Sequence, residues 1–125
     1  MLSRWPLLLA AGILVFVGGL HSYLGERLLF PRLFALPDLP LFRKDRAFTE
    51  AVLRFAWHLT SLAWWGMAVV LGAMAVNVVD HHRVGMILGA TVLLTGLIIV
   101  VTCGVQHPAW WLFLIAGACI LYGTR

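Results

Sequence analysis

The sequence predicts an all-α integral membrane protein: an antiparallel four-helix transmembrane bundle with an interfacial loop between helices one and two, forming a single domain over residues 1–125. Three observations predict it. Hydrophobic residues make up 62% of the 125-residue chain and charged residues 11%, against about 25% charged in a soluble domain. So short a chain has too little interior to hide that much apolar surface from water. Four apolar stretches approach the roughly 20 residues that cross a hydrocarbon core as a helix, and short turns between them favour antiparallel neighbours.

The first span covers about 5–24. "MLSRWPLLLAAGILVFVGG" sets a positive residue before an apolar stretch, as a signal peptide does. The stretch is long for a signal peptide and no clear Ala-x-Ala site follows, so a retained helix is expected. The loop 25–50 follows. Pro31, Pro37 and Pro40 should break any long helix there. Leu and Phe interleave with Arg27, Arg32, Arg43, Lys44 and Arg46, which predicts a segment lying along the interface, basic groups toward anionic headgroups.

Asp45 is placed to cap the second helix. A helix from there to Val79 would be about 50 Å long, more than a bilayer needs. Its membrane portion is set at 54–77, with the first turns emerging. The third span is 84–103. The fourth is 108–123, with Pro108 at the first helical position. At about 24 Å it is slightly short, so it should stand upright or thin the bilayer. Ala68 and Gly72, Gly85 and Gly89, and Thr91 and Thr95 place small residues four apart, a spacing that lets membrane helices approach closely. Cys103 and Cys119 form no CxxC and read as small, buried apolar residues.

The net charge is +4, from nine basic and five acidic residues. The basic residues lie mostly in the 25–50 loop, so anionic lipid headgroups are the expected partner and nucleic acid is not. Arg27, Arg32, Arg43, Lys44, Arg46 and Arg54 fall on one side, against Arg4, Arg83 and Arg125 on the other. That balance predicts a cytoplasmic long loop with both termini outside, in a bacterial inner membrane.

This topology gathers three histidines that are distant in sequence. His21 ends the first helix, His58 lies just inside the second, and His107 sits in the "GVQHP" turn. All three are expected at one side and a similar depth, with Glu26, Arg54, Ser22, Ser61, Cys103 and Gln106. Arg54, His58, Ser61 and Trp65 line one face of the second helix. Polar groups at membrane depth are costly and usually face the bundle interior.

Imidazole suits transition metals, so His21, His58, His107 and Glu26 make a candidate metal set, with Arg54, Ser61 and Gln106 behind them. Haem held by axial His, or a quinone headgroup on His58 or His107 walled by tryptophans, are the other cofactor readings. Against these, His21 and His107 suit interfacial helix ends, and Glu26 suits an ion pair with Arg27 or Arg54. His81 and His82 read as part of a solvated turn. The alternatives from other classes are a structural or accessory subunit of a larger membrane complex and a small oligomeric transporter. The first helix interior carries no acid of the kind small multidrug transporters have, and no CxxC or HxxxH motif is present. Catalysis is left open.

Overall fold

The structure is a computed structural model and describes residues 4–125, which contain helices and turns and no strand. Helix α1 spans Trp5–Leu24. A π-helical turn, Gly25–Leu29, carries it into a last short helix, α2, at Phe30–Leu33. After a loop with one 3-10 turn at Phe42–Lys44 come α3 (Arg46–Ala75), α4 (His81–Cys103) and α5 (Trp110–Gly123). Three helical stretches, Trp5–Leu33, Arg46–Ala75 and His81–Cys103, are long and apolar enough to cross a membrane. Helix α5, with 14 residues, is shorter.

Two expectations need correction. Pro31 does not end the first helix. The chain absorbs it through the π turn, which closes with Phe30 N–H donating to Gly25 O. An extra residue in the turn rearranges the carbonyls where Pro lacks a donor and crowds the preceding turn. Pro108 does not open α5, which begins at Trp110 after a turn. Breaks do fall where Pro37 and Pro40 were expected to make them.

The start of α3 is held firmly. Asp45 accepts a hydrogen bond from Phe48 N at 3.0 Å. Thr49, 1% exposed, donates to Asp45 O at 2.7 Å and accepts from Phe42 N at 2.8 Å. Arg46 reaches back to Phe34 O and Leu36 O, at 2.5 and 3.0 Å, and pairs with Glu50. The loop is therefore tied to α3 by its own donors. Between these ties Arg43 and Lys44 both take left-handed backbone, φ 55° and 58°, which costs a non-glycine residue about 1–2 kcal/mol.

The helices pair in a regular register. Along α1, Val15 and Gly18 meet Trp65, Ser22 meets Ser61, and Glu26 meets His58 and Arg54. Between α3 and α4, Gly66 meets Thr91 and Phe55 packs with Ile99 and Cys103. Helices α4 and α5 meet at Gly89 and Gly117, where a Cβ on Gly117 would stand 2.9 Å from Leu93 N. Backbone approaches this closely only where side chains are absent. Of the expected small pairs, Gly85 and Gly89 are both used in packing, whereas Gly72 faces open space. Large apolar side chains such as Phe16 and Val101 point outward, and only Gly18 is buried in α1.

Candidate functional site

The site lies where the last turns of α1 cross the N-terminal half of α3. On α3, positions 54, 58, 61 and 65 fall on one stripe at spacings of 4, 3 and 4, and position 57 borders it, one turn from 54 and from 61. They present Arg54, Trp57, His58, Ser61 and Trp65 to α1. On the other side, Gly18, Ser22 and Glu26 recur every four residues. Gly18 and Gly25 leave room for indoles: a Cβ on Gly18 would meet Trp65 Nε1 at 2.5 Å, and one on Gly25 would meet Trp57 Cδ1 at 2.7 Å.

Two tryptophans stitch the helices by their ring N–H. Trp65 donates to Val15 O at 3.1 Å and Trp57 donates to His21 O at 2.9 Å. Between them runs a polar chain. Ser61, 2% exposed, donates to Gly18 O at 2.7 Å. Ser22 Oγ is 2.7 Å from Ser61 Oγ and 2.8 Å from His58 Nδ1. His58 Nε2 is 2.8 Å from Glu26 Oε1, which also accepts from Arg54 Nε at 3.0 Å. The Arg54 guanidinium rests 5.4 Å from the rings of both Phe30 and Phe34.

Counting hydrogens along the chain fixes its direction. A carbonyl only accepts, so the single Ser61 hydroxyl hydrogen goes to Gly18 O. Ser61 must then accept from Ser22, whose one hydrogen is thereby committed. Ser22 Oγ must in turn accept from His58 Nδ1–H. At the far end Glu26 Oε1 accepts from Arg54 and lies 2.8 Å from His58 Nε2. His58 Nδ1 is thus the donor to Ser22, and the bonds run one way from the imidazole through both serines to Gly18 O. A Glu–His–Ser order is also that of an acyl-transfer triad. Here the Ser22 hydrogen points away from the imidazole, toward Ser61, so His58 is not placed to take it.

The predicted residues divide into three groups. Glu26, Arg54, His58 and Ser61 come together, joined by Ser22. His21 is adjacent but separate: its ring stacks on Trp57 at 4.1 Å, meets Trp64 edge-on at 5.3 Å, and leaves Nε2 buried without a hydrogen-bond partner. His107 is on a different face of α3, against Phe48 and Phe55, with ring centroids 6.5 and 6.1 Å away. Phe48 and Phe55 lie roughly 60–80° around α3 from His58, on the side away from Trp57. All three histidines meet the N-terminal half of α3, but they do not converge on one point. Gln106 is exposed in the turn before α5.

The expected metal set is therefore not assembled. Among the described residues no group of three or more His, Cys, Asp or Glu is placed to hold a metal ion. The donor chemistry agrees, since both ring nitrogens of His58 and Oε1 of Glu26 are already bonded within the cluster. Axial haem ligation by His21 and His58 fits no better, because one ring is stacked on Trp57 with Trp64 at its edge and the other has both nitrogens in contact with Ser22 and Glu26.

Glu26 and Arg54 form the expected ion pair. Both are nearly half exposed, so it contributes about 1 kcal/mol at most. His82, placed in the first turn of α4, bonds Thr124 O at 2.7 Å. Cys103 and Cys119 are both free. Cys103 is buried as expected, but Cys119 lies on an exposed face.

Sequence reasoning missed the indole-to-carbonyl bonds of Trp57 and Trp65. Their signal was available: Trp65 shares the helical stripe of His58, Trp57 borders it, and Gly18 and Gly25 stand opposite. It also missed the π turn, which brings Glu26 and Phe30 to bear on His58. No family model, curated protein or solved structure matches the chain.

Proposed function

We propose that the chain is an integral membrane protein of the structural or accessory class, its four helices crossing a bacterial inner membrane in antiparallel succession. In this reading the Glu26–His58–Ser22–Ser61 chain is a clamp. It fastens α1 to α3 and so holds out the apolar outer face of α1 for a membrane partner or a second copy. One observation carries the proposal: the polar atoms of the cluster are bonded to one another from Glu26 to Gly18 O, which leaves few free for substrate or metal. Six basic residues near the 25–50 loop, against three on the other side, support a cytoplasmic loop with both termini outside.

The test is purification of the full chain in mild detergent, beside His58→Ala, with mass measurement and elemental analysis of each. The expected result is a defined assembly heavier than the 13.8 kDa protomer, free of stoichiometric metal, and loosened in the variant. A monomer carrying near-stoichiometric iron, copper or zinc that disappears in His58→Ala would overturn the proposal.

A further inference from the structure

A second polar-lined site lies on the other face of α3. A groove of about 370 Å³ is lined by Phe42, Arg43, Phe48, Val52, His107 and Pro108. Four of these are apolar, and two bring hydrogen-bond donors. The Arg43 guanidinium lies 5.4 Å from the centre of the Phe48 ring, and among the described residues it forms no ion pair. His107 Nδ1 accepts from Ala109 N at 3.2 Å, so the ring nitrogen left to donate is Nε2, which has no acceptor among the hydrogen bonds of the described residues.

The backbone adds an independent observation. Arg43 stands in left-handed conformation, and so does Lys44 beside it. The flanking ties made by Thr49 to Phe42 N and by Arg46 to Leu36 O hold that turn in place. Strain of this kind persists only where surrounding structure over-determines it, and it gathers at ligand sites. Here it accompanies a cation without a carboxylate, directed onto an aromatic wall beside an imidazole donor.

We propose that this groove binds one anionic phospholipid, its headgroup phosphate accepting from Arg43 and His107 Nε2–H and an acyl chain lying against Phe48, Val52 and Pro108. Charge complementarity selects the occupant. A guanidinium offers two parallel donors to a phosphate. A neutral quinone carbonyl would leave that charge uncompensated. The inference rests on the membrane reading of the chain and not on its accessory role. A protein that stays soluble and folded without detergent would fail the first, whereas the experiment below tests only the groove.

The full chain in detergent is titrated with phosphatidylglycerol and, separately, with phosphatidylcholine of the same acyl chains, and adducts are counted by native mass spectrometry. Arg43→Asn removes the cation with a residue that tolerates left-handed backbone, so the turn is retained. Arg32→Gln removes one positive charge from the same segment away from the groove. Phosphatidylglycerol should bind roughly five- to tenfold better than phosphatidylcholine, and Arg43→Asn should abolish that preference. Arg32→Gln should preserve it, and His107→Phe should weaken it. Equal binding of the two lipids, an undiminished preference in Arg43→Asn, or displacement of the lipid by inorganic phosphate alone would overturn the proposal.

Discussion

Gly25→Ala and Gly12→Ala make the same chemical change in one continuous helical rod and should have opposite effects. A Cβ on Gly12 meets nothing within 4 Å. Alanine there gains helix propensity, up to about 1 kcal/mol. A Cβ on Gly25 falls 2.7 Å from Trp57 Cδ1 and 2.9 Å from Cε2. The indole cannot withdraw freely, because it donates to His21 O, stacks on the His21 ring and meets Phe30 edge-on. Moving it by most of an ångström breaks the hydrogen bond, worth about 0.6–1 kcal/mol between membrane helices. It also loses the stacking, worth about 0.5–1.5 kcal/mol. The propensity gain is common to both variants, so their difference isolates the clash at about 1–2.5 kcal/mol. Reversible unfolding by SDS in mixed micelles, followed by helicity, measures both against the parent chain. If the two variants differ by less than about 0.5 kcal/mol, Trp57 is not pinned and the account of the α1–α3 seam is wrong.

Ser61→Ala removes the donor to Gly18 O and the acceptor for Ser22, and should cost about 1–2 kcal/mol in the same assay; no change would show the serine chain to be incidental. Nitrogen-15 NMR of labelled histidine checks the hydrogen count: with the clamp intact, His58 should carry a hydrogen on Nδ1, and a bare Nδ1 would contradict the direction assigned to the chain. Arg46→Ala should leave α3 folded but speed proteolysis between Phe34 and Lys44 several-fold, since two carbonyl ties are lost; unchanged cleavage would mean that Thr49 holds the loop alone. Cys119 should react with a membrane-permeant maleimide in detergent while Cys103 stays protected until unfolding, and equal reactivity would refute the packing of Cys103 against Phe55.

The polar stripe of α3 was legible because helical spacing is local arithmetic: Arg54, His58 and Ser61 must share a face wherever the helix packs. Glu26 and Ser22 could be placed at the same level from topology alone. The separation of His107 was not legible. Level along an axis follows from the order of helices, but direction around the axis depends on which neighbours a helix chooses. The faces that carry Phe55 and His58 are both mostly apolar in sequence, and only packing assigned one to α4 and the other to α1. Pro31 failed as a helix stop for a related reason. A proline removes one donor, and the π turn just before it accommodates that loss in a way that residues 25–33 do not reveal by themselves.

The sequence by itself determined the class of molecule: helices, because apolar stretches of that length must satisfy their own backbone groups, and their boundaries to within a few residues except at the first helix, whose helical stretch runs on to Leu33. It also determined which polar residues lie at one end. The tertiary structure alone decided which of those residues touch. It bonded His58 to Glu26 and Ser22, stacked His21 on Trp57, and set His107 against Phe48 and Phe55. The physical reason is that hydrogen bonds and ion pairs act within a few ångströms. Which helix faces come within that distance is settled by glycines that admit a tryptophan, and no periodicity along a single helix contains that information.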